Sequence, residues 1–113
     1  MQPAVDLAQL ARYTGGDRTL NTEVLRLFDT QARVLLDSMK EALAARDVRS
    51  WAYAAHSLKG AARGIGAFSL ADAAAFAEPN DLSVEAGATA ALTALAQSTV
   101  EVQHFIGEYL AAA

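Results

Sequence analysis

Apolar residues recur at alternating steps of three and four along most of the chain, which is the spacing of one buried face on an α-helix. No stretch alternates with the period of two that a half-buried strand requires. The clearest run in the first half of the chain is Leu25, Phe28, Ala32, Leu35, Met39 and Ala42. A second clear run is Trp51, Ala55, Leu58, Ala62 and Ile65. The pattern therefore predicts an all-α protein.

Capping residues and helix breakers divide this pattern into five helices. Gly15-Gly16 and Glu78-Pro79-Asn80 interrupt it, because glycine closes helices and proline cannot continue them. The first predicted helix covers about residues 4–13, the fourth about 68–77 and the fifth about 83–110. The second runs from a cap at Asp17 or Thr19 to about residue 45. The third runs from a cap at Asp47 to Gly64 or Gly66. Four of them are long enough to form an antiparallel up-down four-helix bundle, with the short N-terminal helix as a lid on one end.

Composition narrows the class of protein. The 113 residues suit a single domain over 1–113, and 53% apolar against 19% charged residues favours a folded chain. A net charge of -4 argues against nucleic acid as a partner. No apolar run approaches the ~20 residues that span a bilayer, and the first residues do not resemble a signal peptide, so a cytoplasmic protein without a membrane partner is expected. With no cysteine and only two histidines, no metal site is predicted.

The third predicted helix carries a histidine that packing does not explain. Successive residues of a helix are rotated by about 100° around its axis. Measured around the axis from the mean direction of the buried residues, Lys59 lies at roughly 80°, Arg63 at roughly 120°, His56 at roughly 140° and Gly60 at roughly 180°. His56 is therefore predicted to be exposed. Two flanking cations, Lys59 and Arg63, favour a neutral, nucleophilic imidazole and stabilise a phosphoryl group on it. A mid-helix glycine costs about 1 kcal/mol relative to alanine, so Gly60 indicates close approach by a partner.

The segment Ala54-Ala55-His56-Ser57-Leu58-Lys59-Gly60, followed by Gly66, resembles the signature of histidine-containing phosphotransfer (HPt) domains of bacterial phosphorelays. The resemblance covers roughly residues 5–78 and includes the segment Phe76-Ala77-Glu78. It implies that His56 takes a phosphoryl group from a receiver-domain aspartate and passes it to an aspartate of another receiver. It also implies that Lys59 supports the phosphoryl group, that Gly60 leaves clearance, and that Gly66 sets the helix end and its packing.

The same resemblance implies the partners of the chain. These are receiver domains of response regulators and a hybrid histidine kinase, with Mg²⁺ bound by the receiver and no cofactor bound by this chain. No ATP-binding motif is present, so a carrier without kinase activity of its own is expected. A monomer is expected, although the apolar surface leaves a dimer open.

Apolar residues off the buried stripe of the second helix indicate where a receiver docks. The predicted partner-binding residues are Leu27, Gln31, Val34, Ala52, Tyr53 and Arg63. The alternative is that Leu27 and Val34 pack under the first or third helix. Arg63 stands where members of the family often have a small polar residue, so it either supports the phosphoryl group or selects the partner.

Other interpretations stay open. The chain is alternatively a non-catalytic module that binds a receiver or kinase without carrying phosphate, or a protein phosphorylated directly by a kinase's catalytic domain. An isolated surface histidine is most often without a function, and His104 is interpreted as such a residue. Asp72, Glu78 and Asp81 are interpreted as helix-surface and capping residues that need no function.

Overall fold

The fold, seen in a computed structural model that describes residues 3–112, consists of α-helices joined by short turns. The helices are α1 (Leu7–Thr14), α2 (Arg18–Ala45), α3 (Val48–Gly64), α4 (Phe68–Ala77) and α5 (Glu85–Ala111). No strand occurs within residues 3–112, so the prediction of an all-α protein is confirmed. Over the same residues, no helix combines the length and the apolar character needed to cross a membrane.

The predicted boundaries agree with the structure for α2, α3 and α4 and are wrong at the start of α1 and of α5. The first helix begins at Leu7 instead of residue 4, because the Asp6 carboxylate caps it by accepting a hydrogen bond from the Ala8 N–H at 2.9 Å. The fifth begins at Glu85 instead of residue 83. There the Asp81 carboxylate accepts hydrogen bonds from the backbone N–H and hydroxyl of Ser83, which holds a turn before the helix. Asp17, and not Thr19, caps α2.

The two clear apolar runs form the centre of the core. All eleven of their residues are buried. The second helix packs against α3 and α5, and α4 packs against the same two, so the four longer helices surround one core. Small side chains on the facing sides let the helices approach closely, which explains why so much of the apolar content is alanine. Fully buried examples are Ala32, Ala55, Ala62, Ala74 and Ala88.

Gly66 fixes α1 to the connection between α3 and α4. Its φ of 81° lies in the left-handed region that favours glycine, and its carbonyl accepts a hydrogen bond from the Asp6 N–H at 3.0 Å. A Cβ atom at this position would lie 2.5 Å from the Asp6 carbonyl oxygen. Both the backbone conformation and the close approach therefore require glycine.

A buried hydrogen bond fixes the end of α4. The indole Nε1 of Trp51, on α3, donates to the Ala77 carbonyl at 2.8 Å, and the Trp51 side chain is fully buried. Because Ala77 is the last residue of α4, this bond determines where the following residue, Glu78, lies against α3.

Candidate functional site

His56 projects from the outer face of α3. Its side chain is 70% exposed, while Ala55 and Leu58 beside it in the sequence are fully buried. The predicted exposure of His56 is therefore confirmed. Residues three and four apart are neighbours on a helix, so Ala52 and Tyr53 precede the imidazole by one turn, and Lys59 and Gly60 follow it by one turn.

The carboxylate of Glu78 joins Lys59 and His56. Its Oε1 atom accepts a hydrogen bond from Lys59 Nζ at 3.1 Å and lies 3.5 Å from His56 Nδ1. The Lys59 side chain is only 20% exposed, because it lies along the surface toward the end of α4. The site thus contains a carboxylate in addition to the residues predicted from the sequence.

Glu78 differs from the sequence interpretation, in which it is a surface or capping residue without a function. It approaches His56 through the packing of α4 on α3, and no local spacing pattern relates residues 56 and 78. The one signal in the sequence is that Phe76-Ala77-Glu78 belongs to the region that resembles HPt domains.

The charge of Lys59 is already compensated. Its hydrogen bond holds the pKa of Glu78 below the ordinary value of 4.5, its positive charge and the neighbouring His56 add to this effect, and partial desolvation opposes it. Glu78 is therefore ionised at neutral pH. The sequence analysis places two cations beside the imidazole, and the structure adds a carboxylate that faces both Lys59 and the ring.

Gly60 borders open space. A Cβ atom added there would meet no atom of the protein within 4 Å, in contrast to Gly66. Packing within the chain therefore gives no reason for a glycine at this position, one turn after His56. The gap lies on the outer surface of α3, where another molecule can enter it.

The predicted docking residues on α2 are exposed. Leu27 and Val34 have 71% and 59% of their surfaces accessible, so the alternative that they pack under a neighbouring helix is wrong. Gln31 lies exposed between them, Tyr53 is exposed on α3, and Ala52 is half-buried. The sequence analysis omits Tyr13, an exposed residue of α1. It lines a shallow, mainly apolar groove together with Leu10, Val24, Leu27, Phe28, Gln31, Ala61, Gly64 and Ile65.

Of the two remaining candidates, His104 lies on another helix, and Arg63 lies about two turns after His56 on α3. His104 is exposed on α5, where Nε2 lies 2.9 Å from Glu108 Oε1 in the next turn. Arg63 is exposed on α3, and no ion pair involves it among residues 3–112. Within that same range, no group of three or more histidine, aspartate or glutamate residues is arranged to hold a metal ion.

Comparison with known proteins identifies the family. The family model of the Hpt domain matches residues 23–103, which include His56, Lys59, Gly60 and Glu78. Comparisons with curated proteins and with solved structures gave no match. Hpt domains carry phosphoryl groups on a histidine in phosphorelays and interact with the receiver domains of response regulators. Because the match covers most of the chain and contains the exposed histidine with its neighbours, the chain belongs to the Hpt domain family.

Proposed function

We propose that this protein carries phosphoryl groups between receiver domains, with His56 as the residue that is phosphorylated. The observation that supports this most directly is the exposed His56 imidazole, whose Nδ1 faces the Glu78 carboxylate and whose Nε2 does not. Between the two neutral tautomers of the ring, a carboxylate opposite Nδ1 favours the one with its proton on Nδ1. The lone pair is then on Nε2, which is the nitrogen that reacts.

Transfer is a displacement at phosphorus. The Nε2 lone pair of His56 attacks the phosphorus of an aspartyl phosphate, and the N–P bond forms as the P–O bond to the aspartate breaks. The aspartate carboxylate leaves with the bonding electrons. The reverse displacement, by the aspartate of a second receiver, breaks the N–P bond and returns the electron pair to Nε2. Positioning and charge neutralisation supply most of the catalysis in such transfers.

The neighbours of His56 have separate roles in this proposal. Lys59, one turn away, donates hydrogen bonds to the phosphoryl oxygens once His56 is phosphorylated. Its ammonium group then leaves the Glu78 carboxylate for the phosphoryl group, which carries more negative charge. Gly60 leaves room for the backbone of the receiver. Mg²⁺ is expected on the receiver, where the acyl phosphate forms, and this chain acts as a carrier without kinase activity of its own.

The docking surface extends over α1, α2 and α3. Exposed apolar residues surrounded by polar ones are typical of interaction sites. Its proposed members are Tyr13, Leu27, Gln31, Val34, Ala52, Tyr53 and Arg63. A receiver that covers this surface brings its aspartate to the open side of His56, above Gly60.

We further infer that α2 to α5 form an antiparallel up-down bundle within a single domain over 1–113. Contacts between helix ends support this arrangement. Arg18, at the start of α2, donates to the carbonyl of Tyr109 near the end of α5, at 2.7 Å. Arg46, directly after α2, pairs with Glu85 at the start of α5, at 3.2 Å. We expect the protein to act as a cytoplasmic monomer whose donor is a hybrid histidine kinase.

The test is incubation of the chain with receiver domains of its source organism that have been phosphorylated with radiolabelled acetyl phosphate. The wild-type chain should acquire an acid-labile, alkali-stable label. His56→Gln should remove it, and the matched control His104→Gln should retain it. Equal labelling of His56→Gln and wild type would refute the proposal. Binding of a receiver without any labelling would identify a non-catalytic module, and labelling that needs a kinase domain and ATP but no receiver would identify direct phosphorylation.

A further inference from the structure

We propose that Arg63 selects receivers that present an acidic side chain beside their aspartate pocket, on the side that meets the C-terminal end of α3. This inference rests on the proposed function and adds the chemistry of the partner surface. The arginine stands seven residues after the proposed phosphorylation site.

The charges of α3 single out Arg63. The helix contains no carboxylate and three cations, at Arg49, Lys59 and Arg63. Lys59 is compensated by Glu78 at 3.1 Å. Arg49 forms no ion pair within residues 3–112, but its charge helps to lower the pKa of the Asp47 carboxylate, which lines the same surface cleft. Arg63 is exposed and forms no ion pair with the described residues 3–112, so its charge is available to a partner.

The position of Arg63 suits a contact with the partner. Seven residues are almost two helical turns, so Arg63 lies on the same face of α3 as His56 and about 10.5 Å further along its axis. Helical side chains lean toward the preceding turn, which for Arg63 is the turn of Gly60, where the surface is open. Lys59 lies one turn from His56, so it is the nearer cation for a phosphoryl group, and Arg63 is left at the edge of the gap.

The surroundings of Arg63 resemble the rim of an interface. The residue next to it, Gly64, lines the apolar groove that also contains Leu27 and Tyr13. A charged rim around an apolar centre is the common arrangement of protein interfaces. The planar guanidinium binds a carboxylate through two parallel hydrogen bonds. A basic or apolar partner surface would instead leave Arg63 desolvated and unpaired, which disfavours that partner.

The experiment compares Arg63→Glu with Lys40→Glu, which changes the net charge equally. The carboxylate of Asp29 accepts a hydrogen bond from Gln103 of α5, so Asp29 lies on the side of α2 that faces α5. Lys40 is exposed and lies about three turns after Asp29, so Lys40 is on the same side of α2. The probe is the radiolabelled receiver that phosphorylates the wild-type chain fastest. At low ionic strength, Arg63→Glu should lower kcat/KM for transfer by about tenfold, and added salt should reduce the difference between variant and wild type. Lys40→Glu should change kcat/KM less than about twofold.

Further readouts separate partner selection from support of the phosphoryl group. The transfer rate at saturating receiver and the hydrolysis rate of phosphorylated His56 should be the same in Arg63→Glu and wild type. A faster hydrolysis or a lower saturated rate would assign Arg63 to the phosphoryl group and overturn the inference. Equal kcat/KM values for Arg63→Glu and wild type would also overturn it. Failure of every receiver to label the wild-type chain would contradict the proposed function itself, and the inference with it.

Discussion

The Glu78 carboxylate accepts a hydrogen bond from the Lys59 ammonium at 3.1 Å and, with the same oxygen, faces Nδ1 of His56 at 3.5 Å. Glu78 directly follows α4, whose last carbonyl is held by the buried indole of Trp51 at 2.8 Å. Packing of the core therefore determines where this carboxylate lies. A hydrogen bond inside the protein thus helps to place the carboxylate that faces the exposed ring of His56.

Replacement of Glu78 should slow transfer to His56. Glu78→Ala removes the group that faces Nδ1, so we expect the rate at saturating receiver to fall by about tenfold, because reactive geometry is lost. Glu78→Gln keeps an oxygen that can accept from Lys59 and face Nδ1, and should retain a larger share of the rate. The measurement is rapid-quench transfer from a phosphorylated receiver. An unchanged rate in Glu78→Ala would show that Glu78 does not orient the ring.

The ion pair of Glu78 should stabilise the fold in a pH-dependent way. The pKa of Glu78 is lowered in the folded protein, first by the hydrogen bond from Lys59, so its contribution is complete above the ordinary value of 4.5 and is lost as the pH falls through the lowered value. Wild type should therefore exceed Glu78→Gln in unfolding free energy at pH 7, and the difference should shrink as the pH falls below 4.5.

Urea unfolding of both proteins over a series of pH values measures this difference. The pKa values of Asp47 and Asp81 are also lowered, chiefly by hydrogen bonds from Ser50 and Ser83, but these groups are present in both proteins and cancel. A difference that stays constant or grows on acidification would contradict the prediction.

Gly66→Ala should destabilise the protein and loosen α1. The substitution places a Cβ atom 2.5 Å from the Asp6 carbonyl oxygen and imposes a φ of 81° on an alanine, so we expect a loss of about 1–3 kcal/mol in the free energy of unfolding. Hydrogen exchange should show the largest loss of protection in α1, since Asp6 donates to the Gly66 carbonyl. Wild-type stability together with unchanged hydrogen exchange in α1 would show that the contact between Asp6 and Gly66 does not hold α1 in place.

Gly60→Ala should change stability and transfer in opposite directions. A Cβ atom at residue 60 meets no atom of the chain within 4 Å, so alanine should raise the free energy of unfolding by about 0.5–1 kcal/mol through its higher helix propensity. The same methyl group would occupy the gap that we propose for the receiver, so transfer should slow severalfold.

The matched control for Gly60→Ala is Gly107→Ala. Gly107 lies within α5, and a Cβ atom there also meets nothing within 4 Å. This variant should gain stability to a similar extent and transfer at the wild-type rate. Equal transfer rates for the two alanine variants would show that Gly60 gives no clearance.

The all-α fold and the exposure of His56 could be predicted from the sequence because both depend on helical periodicity. The apolar runs of α2 and α3 are long and regular, so their buried faces follow from a rotation of 100° per residue. The starts of α1 and α5 could not be placed as well. The start of each helix depends on whether the preceding aspartate, Asp6 or Asp81, caps the first turn of the helix or holds a loop before it. Short-range sequence patterns do not distinguish a cap from such a loop.

The parts of the site that sequence reasoning missed are contacts between helices. Glu78 approaches Lys59 and His56 only when α4 packs on α3, and Tyr13 joins Leu27 in one groove only when α1 lies against α2. Spacing along one helix places Lys59 near His56 but does not show that another helix supplies its counter-ion. Packing between helices therefore determines which charged side chains lie beside His56.

The most direct test of the proposed carrier function is a chase of the phosphorylated chain. The labelled protein, separated from its donor, is mixed with an unphosphorylated receiver, and the label on each protein is followed over time in acid and in alkali. We predict that the alkali-stable label on His56 disappears at the rate at which an alkali-labile label appears on the receiver aspartate. Retention of the label on the chain, or its release as inorganic phosphate without labelling of any receiver, would contradict a carrier function for His56.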